Sequence, residues 1–256
     1  MKQGLLNRYR YFFLTLPLLL VMVGITSCDM PDVIKSKLSW IIGVDLTNEP
    51  YSEPIYDGID VSCNNGDIDW KLVAENKNIK FVYIKATQGA TVIDPKYSRN
   101  LREARENGLK CGSYHFLSSN TPIHSQFSNF CSVVDKQSQD LIPVVDVESP
   151  VLDEWSKEQL SDSLALFVDL IRNQYGISPI IYTNESFFNS NLAAKFNKDI
   201  LFVARYGKQQ PHLNDGKAYM IWQYSETGHI SGIERAYVDL CRLYDGMTVK
   251  QILLPR

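Results

Sequence analysis

Pro143-Val144-Val145-Asp146-Val147-Glu148 reads as a β-strand with two unlike faces. Side chains alternate across a strand, so Asp146 and Glu148 share one face while Val145 and Val147 pack on the other. In an extended strand the two acidic Cα atoms stand roughly 6 to 7 Å apart. Two carboxylates that close cannot both ionise freely, and one is expected to keep a proton near neutral pH. An isolated Asp-x-Glu is more often a solvated strand end, so its meaning depends on what surrounds it.

Outward from this stretch, short β-rich runs alternate with helical patterns. The runs are Ile55 to Ser62, Phe81 to Thr87, Cys111 to Phe116, Ile142 to Val147, Pro179 to Thr183, Ile200 to Tyr206, Tyr219 to Tyr224 and Tyr237 to Leu243. Such alternation indicates βα units and a parallel sheet. Asp94, with Pro95 behind it, is expected to cap a helix that ends at Gly108 and buries Tyr97, Leu101 and Ala104. Ser156 and Gln159 form a capping box for a helix with Leu160, Leu164, Phe167 and Ile171 inward, stopping at Gly176. No glycine-rich phosphate loop follows any strand, so a barrel fits better than a doubly wound sheet. Helical patterns fade after Ala194, which predicts an incomplete barrel with few outer helices in its last third.

Asp60, near the end of the first strand, and Asp239, late in the last one, add two acids. Acids from strands one, four and eight are expected to converge at the C-terminal mouth of a barrel, where active sites of this architecture sit. A proton donor beside a carboxylate is what glycoside hydrolysis requires.

The chain from about Tyr56 to Asp245 resembles glycoside hydrolase family 25, the lysozyme-type N-acetylmuramidases. The resemblance rests on an ordered set of motifs: Gly58-Ile59-Asp60-Val61-Ser62 with Gly66 and Ile68-Asp69-Trp70, Phe81-Val82-Tyr83-Ile84-Lys85-Ala86-Thr87, Gly112-Ser113-Tyr114-His115-Phe116, Pro143 to Glu148, Ile181-Tyr182-Thr183-Asn184, and Trp222-Gln223-Tyr224-Ser225. It implies an α/β fold, an irregular TIM-like (β/α)5(β)3 barrel, and cleavage of the β-1,4 bond between N-acetylmuramic acid and N-acetylglucosamine. By the same resemblance Glu148 is the general acid and Asp146 holds the substrate 2-acetamido group or the oxocarbenium-like centre. Asp60 and Asp239 are then supporting acids. An enzyme nucleophile and the substrate's own acetamido group both remain open. The chain departs from the family at Cys63 and Asn64, where a His or Tyr is frequent, and at Gln88, where Glu is common. A peptidoglycan-binding lipoprotein of weak catalytic power is the rival reading.

Tyr114, Tyr182, Trp222 and Tyr224, with Gln88, are the candidate substrate contacts. Tyr83 and Tyr206 are further aromatics able to stack on a sugar ring. Core packing competes at each, because strands favour aromatics for packing alone. His115 alternates away from Tyr114 and reads as a hydrogen-bonded core histidine.

The 256 residues, 45% hydrophobic and 21% charged, suit a large globular domain. A net charge of -3 with interspersed signs leaves no basic stripe for nucleic acid. At the N-terminus, Arg8 and Arg10 precede an apolar run, and Ile25-Thr26-Ser27-Cys28 resembles a lipobox. Residues 1–27 are expected to be a lipoprotein signal peptide, Cys28 the lipidated residue, 28–54 a tether that includes Trp40-Ile41-Ile42, and 55–256 the barrel domain. The expected setting is the exported bacterial cell envelope, with the protein membrane-anchored as a monomer on peptidoglycan strands. Cys63, Cys111, Cys131 and Cys241 show no metal-ligand spacing, so neither a metal nor another cofactor is expected, and buried free thiols are.

Overall fold

The computed structural model describes residues 56–214, 218–234 and 237–255. The expected signal peptide, Cys28 and the expected tether with Trp40-Ile41-Ile42 lie outside the described residues.

Among the described residues nine strands follow in order: β1 Gly58–Val61, β2 Phe81–Gln88, β3 Val92–Ile93, β4 Lys110–Phe116, β5 Val144–Asp146, β6 Ile180–Asn184, β7 Leu201–Ala204, β8 Ile221–Gly228 and β9 Val238–Leu243. The sheet order β1-β9-β8-β7-β6-β5-β4-β2-β3, with β1 also paired to β2, closes eight strands into a barrel. The short β3 hangs on β2 as an antiparallel hairpin. The expected incomplete barrel is therefore corrected: the sheet closes, and only the outer helical layer is incomplete.

Neighbouring barrel strands run parallel except at β9, which is antiparallel to both β8 and β1. This reversal has a direct physical cause in connectivity. Among the described residues no α-helix intervenes between β8 and β9, and a short connection without a crossover can join only antiparallel neighbours.

Among the described residues four helices cover the first strands: α1 Trp70–Glu75, α2 Tyr97–Glu106, α3 Ile123–Val133 and α4 Lys157–Tyr175. A run of short helical turns over residues 185–196 follows β6. The Ser156–Gln159 capping box forms at the start of α4, and Gly176 ends that helix in the left-handed region with φ of 80°. The expected Asp94 cap is displaced. Pro95 and Lys96 form a turn, α2 starts at Tyr97, and Asp94 accepts from the Lys96 and Cys63 backbone N–H groups at 2.9 and 2.8 Å. Asp94 thus ties the turn before α2 to the loop after β1. Sequence periodicity missed the short α1, which Asp69 caps through the Lys71 and Leu72 amides.

Strand alternation sorts the core into two shells. Outward-facing residues such as Ile59, Val82, Ile84, Val145, Ile181 and Val203 pack against the helices. Phe81, Tyr83, Val144, Ile180, Phe202, Ile221 and Leu243 fill the barrel interior. Its lower end is sealed by the C-terminal segment, where Ile142 donates to the Ile252 carbonyl and Leu254 to that of Asp140. Along the inward faces the chemistry changes with height: Phe81 gives way to Lys85 on β2, Val144 to Asp146 on β5, and Ile221 to Gln223 on β8. The barrel floor is thus apolar and its mouth polar.

Candidate active site at the barrel mouth

Asp60, Asp146, Glu148 and Asp239 line one cleft together with Lys85, Tyr114, Tyr182 and Gln223. Asp60 is the penultimate residue of β1 and Asp146 ends β5. Glu148 lies just past β5, where it precedes a 3-10 turn over Ser149–Asp153. Asp239 reaches the same mouth by a different route. Expected late in the final strand, it stands near the start of β9, and because β9 is reversed its beginning lies beside the end of β1, with Asp60 and Asp239 as direct cross-strand partners.

Burial raises the proton affinity of all four carboxyls, since a charged group loses its hydration there. Asp146 is raised well above the ordinary range by burial and then by the charges of Glu148, Asp60 and Asp239. Its Oδ1 is enclosed without a hydrogen-bond partner among the described residues. For Glu148 burial is again the main cause, opposed by the Lys85 ammonium and reinforced by Asp60. The expected like-charge coupling of the two acids is present, the charge of Glu148 acting to raise Asp146. Asp239 is pushed up to about 8 by burial and by its contact with Asp60.

The aromatic candidates divide by strand parity. Tyr114 lines the cleft, and Tyr182 lines it while donating its hydroxyl to Gln223 Oε1 at 2.8 Å. Tyr206 stands at an adjoining recess that shares Glu148 and Tyr182 with the cleft, beside an Arg205–Glu185 ion pair. Tyr83 is buried below, its hydroxyl bonded to the Ile142 carbonyl. Trp222 and Tyr224 are corrected as cleft residues: Trp222 is 4% exposed in the outer shell, its indole N–H bonded to the Arg205 carbonyl, and Tyr224 packs edge-on beside it. The register of β8 turns the residue between them, Gln223, inward. Gln88 is likewise off the cleft lining, where it accepts from Lys85 Nζ at 2.8 Å.

Gln223 and Lys85 are the cleft residues that sequence reasoning passed over. Both lie inside motifs already singled out, and each is a polar side chain amid apolar strand residues, which is the signal that could have marked them. His115 sits outside the barrel wall as expected. It stacks on Phe167 at 4.9 Å, and Gln126 Oε1 accepts from its Nε2 while Nδ1 meets the Thr87 hydroxyl. Burial lowers its pKa to about 4, so the ring is neutral. Cys111 and Cys241 are buried free thiols, whereas Cys63 and Cys131 are only half-buried, which corrects the expectation for those two. Among the described residues no group of three or more His, Cys, Asp or Glu is arranged to hold a metal ion.

The model of glycosyl hydrolases family 25 matches residues 59–233. The chain is 37% identical over 180 residues to the uncharacterized protein YegX of Escherichia coli K12, a match covering 69% of this chain and 65% of YegX. It is 33% identical over 192 residues to an autolytic lysozyme of Clostridium acetobutylicum, covering 75% of this chain and 57% of that protein. The chain thus spans less than two thirds of the length of these relatives. A solved family 25 glycosyl hydrolase from Bacillus anthracis superimposes with a TM-score of 0.69 at 28% identity, covering 78% of this chain and 95% of the other.

Proposed function

Because this chain belongs to glycosyl hydrolases family 25, we propose that it is a peptidoglycan hydrolase, an N-acetylmuramidase that cleaves the β-1,4 bond between N-acetylmuramic acid and N-acetylglucosamine. The observation that carries the reading is the gathering of Asp60, Asp146, Glu148 and Asp239 around one cleft at the barrel mouth. Glu148, half-buried with its proton affinity raised, is the general acid that protonates the leaving oxygen. Asp146 holds and polarises the 2-acetamido group or the oxocarbenium-like centre, and its unpartnered buried Oδ1 offers a place for that contact. Asp60 and Asp239 are the supporting acids. Tyr114 and Tyr182 present ring faces to the sugar.

The anchoring reading is part of the same proposal: export, lipidation at Cys28 and a membrane-tethered barrel acting on the adjacent wall. Its support is the lipobox-like Ile25-Thr26-Ser27-Cys28 behind an apolar run.

Release of reducing ends or muropeptides from purified peptidoglycan tests the activity. Glu148→Gln keeps the shape and much of the hydrogen bonding but has no proton to give, so turnover is expected to fall about 100-fold or more while glycan binding persists. Wild-type rates in Glu148→Gln would remove Glu148 from the role of acid.

A further inference from the structure

Glu148 stands where two cavities meet. One is the four-acid cleft, and the other is a recess of about 430 Å³ at the ends of β6 and β7. That volume lies within the range of roughly 300 to 1,000 Å³ common for small-ligand sites. Glu148 and Tyr182 line both cavities, while Asn184, Glu185, Arg205 and Tyr206 belong to the recess alone. Tyr206 is 51% exposed, yet its hydroxyl donates to Gln223 Oε1 at 3.3 Å. A ring tied by its polar end with its body in solvent is a ready surface for a sugar ring to stack on. Arg205 is paired with Glu185 and donates from Nη2 to Gln209 Oε1 at 2.8 Å, and Glu185 Oε1 accepts the His212 backbone N–H at 3.2 Å. Both members of the ion pair are thereby held in place at the recess.

The place of the acid decides what each cavity holds. A general acid acts within about 2.6 to 3.2 Å of the oxygen it protonates, and that oxygen joins two sugars. With the reacting sugar in the cleft beside Asp146, the sugar that leaves continues past Glu148 into the cavity that shares this residue. We infer that the recess is the subsite of the leaving sugar and that it takes a neutral N-acetylglucosamine, stacked on Tyr206 and hydrogen-bonded to the Arg205–Glu185 pair. The inference rests on the proposed role of Glu148. Charge favours the neutral sugar, because Glu185 cancels the charge of Arg205 and no other cation lines the recess among the described residues. The lactyl-bearing sugar carries a carboxylate, or a peptide that ends in carboxylates, and would meet no uncompensated cation there to offset it.

The test is an NMR titration of the full chain with methyl β-N-acetylglucosaminide and, separately, with N-acetylmuramic acid. The neutral glycoside is expected to shift the Arg205 Nε–H and Tyr206 ring signals saturably, and the anionic sugar to bind there about tenfold more weakly or worse. Tyr206→Ala is expected to weaken the neutral glycoside about tenfold, the scale of one aromatic contact. Tyr206→Phe keeps the ring and is expected to recover most of that loss. Silent Arg205 and Tyr206 signals, equal binding of the two sugars, or equal losses in Tyr206→Ala and Tyr206→Phe would each overturn the inference. On purified peptidoglycan, Tyr206→Ala is expected to lower kcat/KM by about the same tenfold, because the leaving sugar is still bonded when the acid acts, and an unchanged value overturns the inference as well. Should the wild type release no glycan fragments, the proposed function fails, while the titration still decides whether the recess binds N-acetylglucosamine. An active wild type with silent Arg205 and Tyr206 signals leaves the proposed function standing and removes this subsite.

Discussion

Glu148 stands between opposing influences, burial and the charge of Asp60 raising its hold on a proton and the Lys85 ammonium lowering it. Lys85→Met removes the lowering influence, so Glu148 should stay protonated to higher pH. The alkaline limb of activity is expected to move upward. A pH–rate comparison of Lys85→Met with the wild type checks it, and an unmoved or downward limb would mean that Lys85 does not act on Glu148. That Asp146 and Glu148 share a cleft was legible from their two-residue spacing, since alternation is a local property of any strand. Which of the two holds its proton harder was not legible, because it depends on enclosure and on Asp60 and Asp239 from distant strands.

At the scale of single elements, β4 and β8 show what alternation can and cannot say. In β4 the inward row is Gly112, Tyr114 and Phe116, and the glycine exists for space: a Cβ there would lie 2.5 Å from the Tyr83 ring and 2.8 Å from Leu141. Gly112→Ala is therefore expected to overpack the barrel interior and cost about 1 to 3 kcal/mol, read as a lower urea midpoint in equilibrium unfolding. An unchanged midpoint would show that the interior relaxes around the methyl group. In β8 the motif Trp222-Gln223-Tyr224 was recognisable, yet its aromatics drew attention as sugar contacts while its polar centre faces the cleft. Parity within the strand was plain, but which parity points inward is decided by pairing with β7 and β9. The capping box at Ser156 needed no such help, as its hydrogen bonds span three residues.

At the scale of the whole molecule, a glycan hydrolase tethered beside its substrate works at a local concentration set by the tether, so the proposed lipid on Cys28 bears on function as much as the cleft does. Intact mass of the protein from membranes is expected to show a chain starting at a lipidated Cys28, and Cys28→Ala should leave it unlipidated and released from membranes. A mature mass without lipid would refute the anchor. By itself, the sequence determined that strands and helices alternate, that Asp146 and Glu148 share a face, that α4 begins at a capping box, and that His115 turns away from the mouth. Each of these follows from neighbours within a turn of helix or a few residues of strand. Only the tertiary structure decided that the sheet closes, that β9 runs backwards and so delivers Asp239 to the mouth from its start, that Gln223 rather than Trp222 enters the cleft, and that Asp60 and Asp239 stand side by side. Those outcomes depend on contacts between residues as far apart as Asp60 and Cys241, 181 positions from each other, and no local pattern encodes the register in which such distant strands meet.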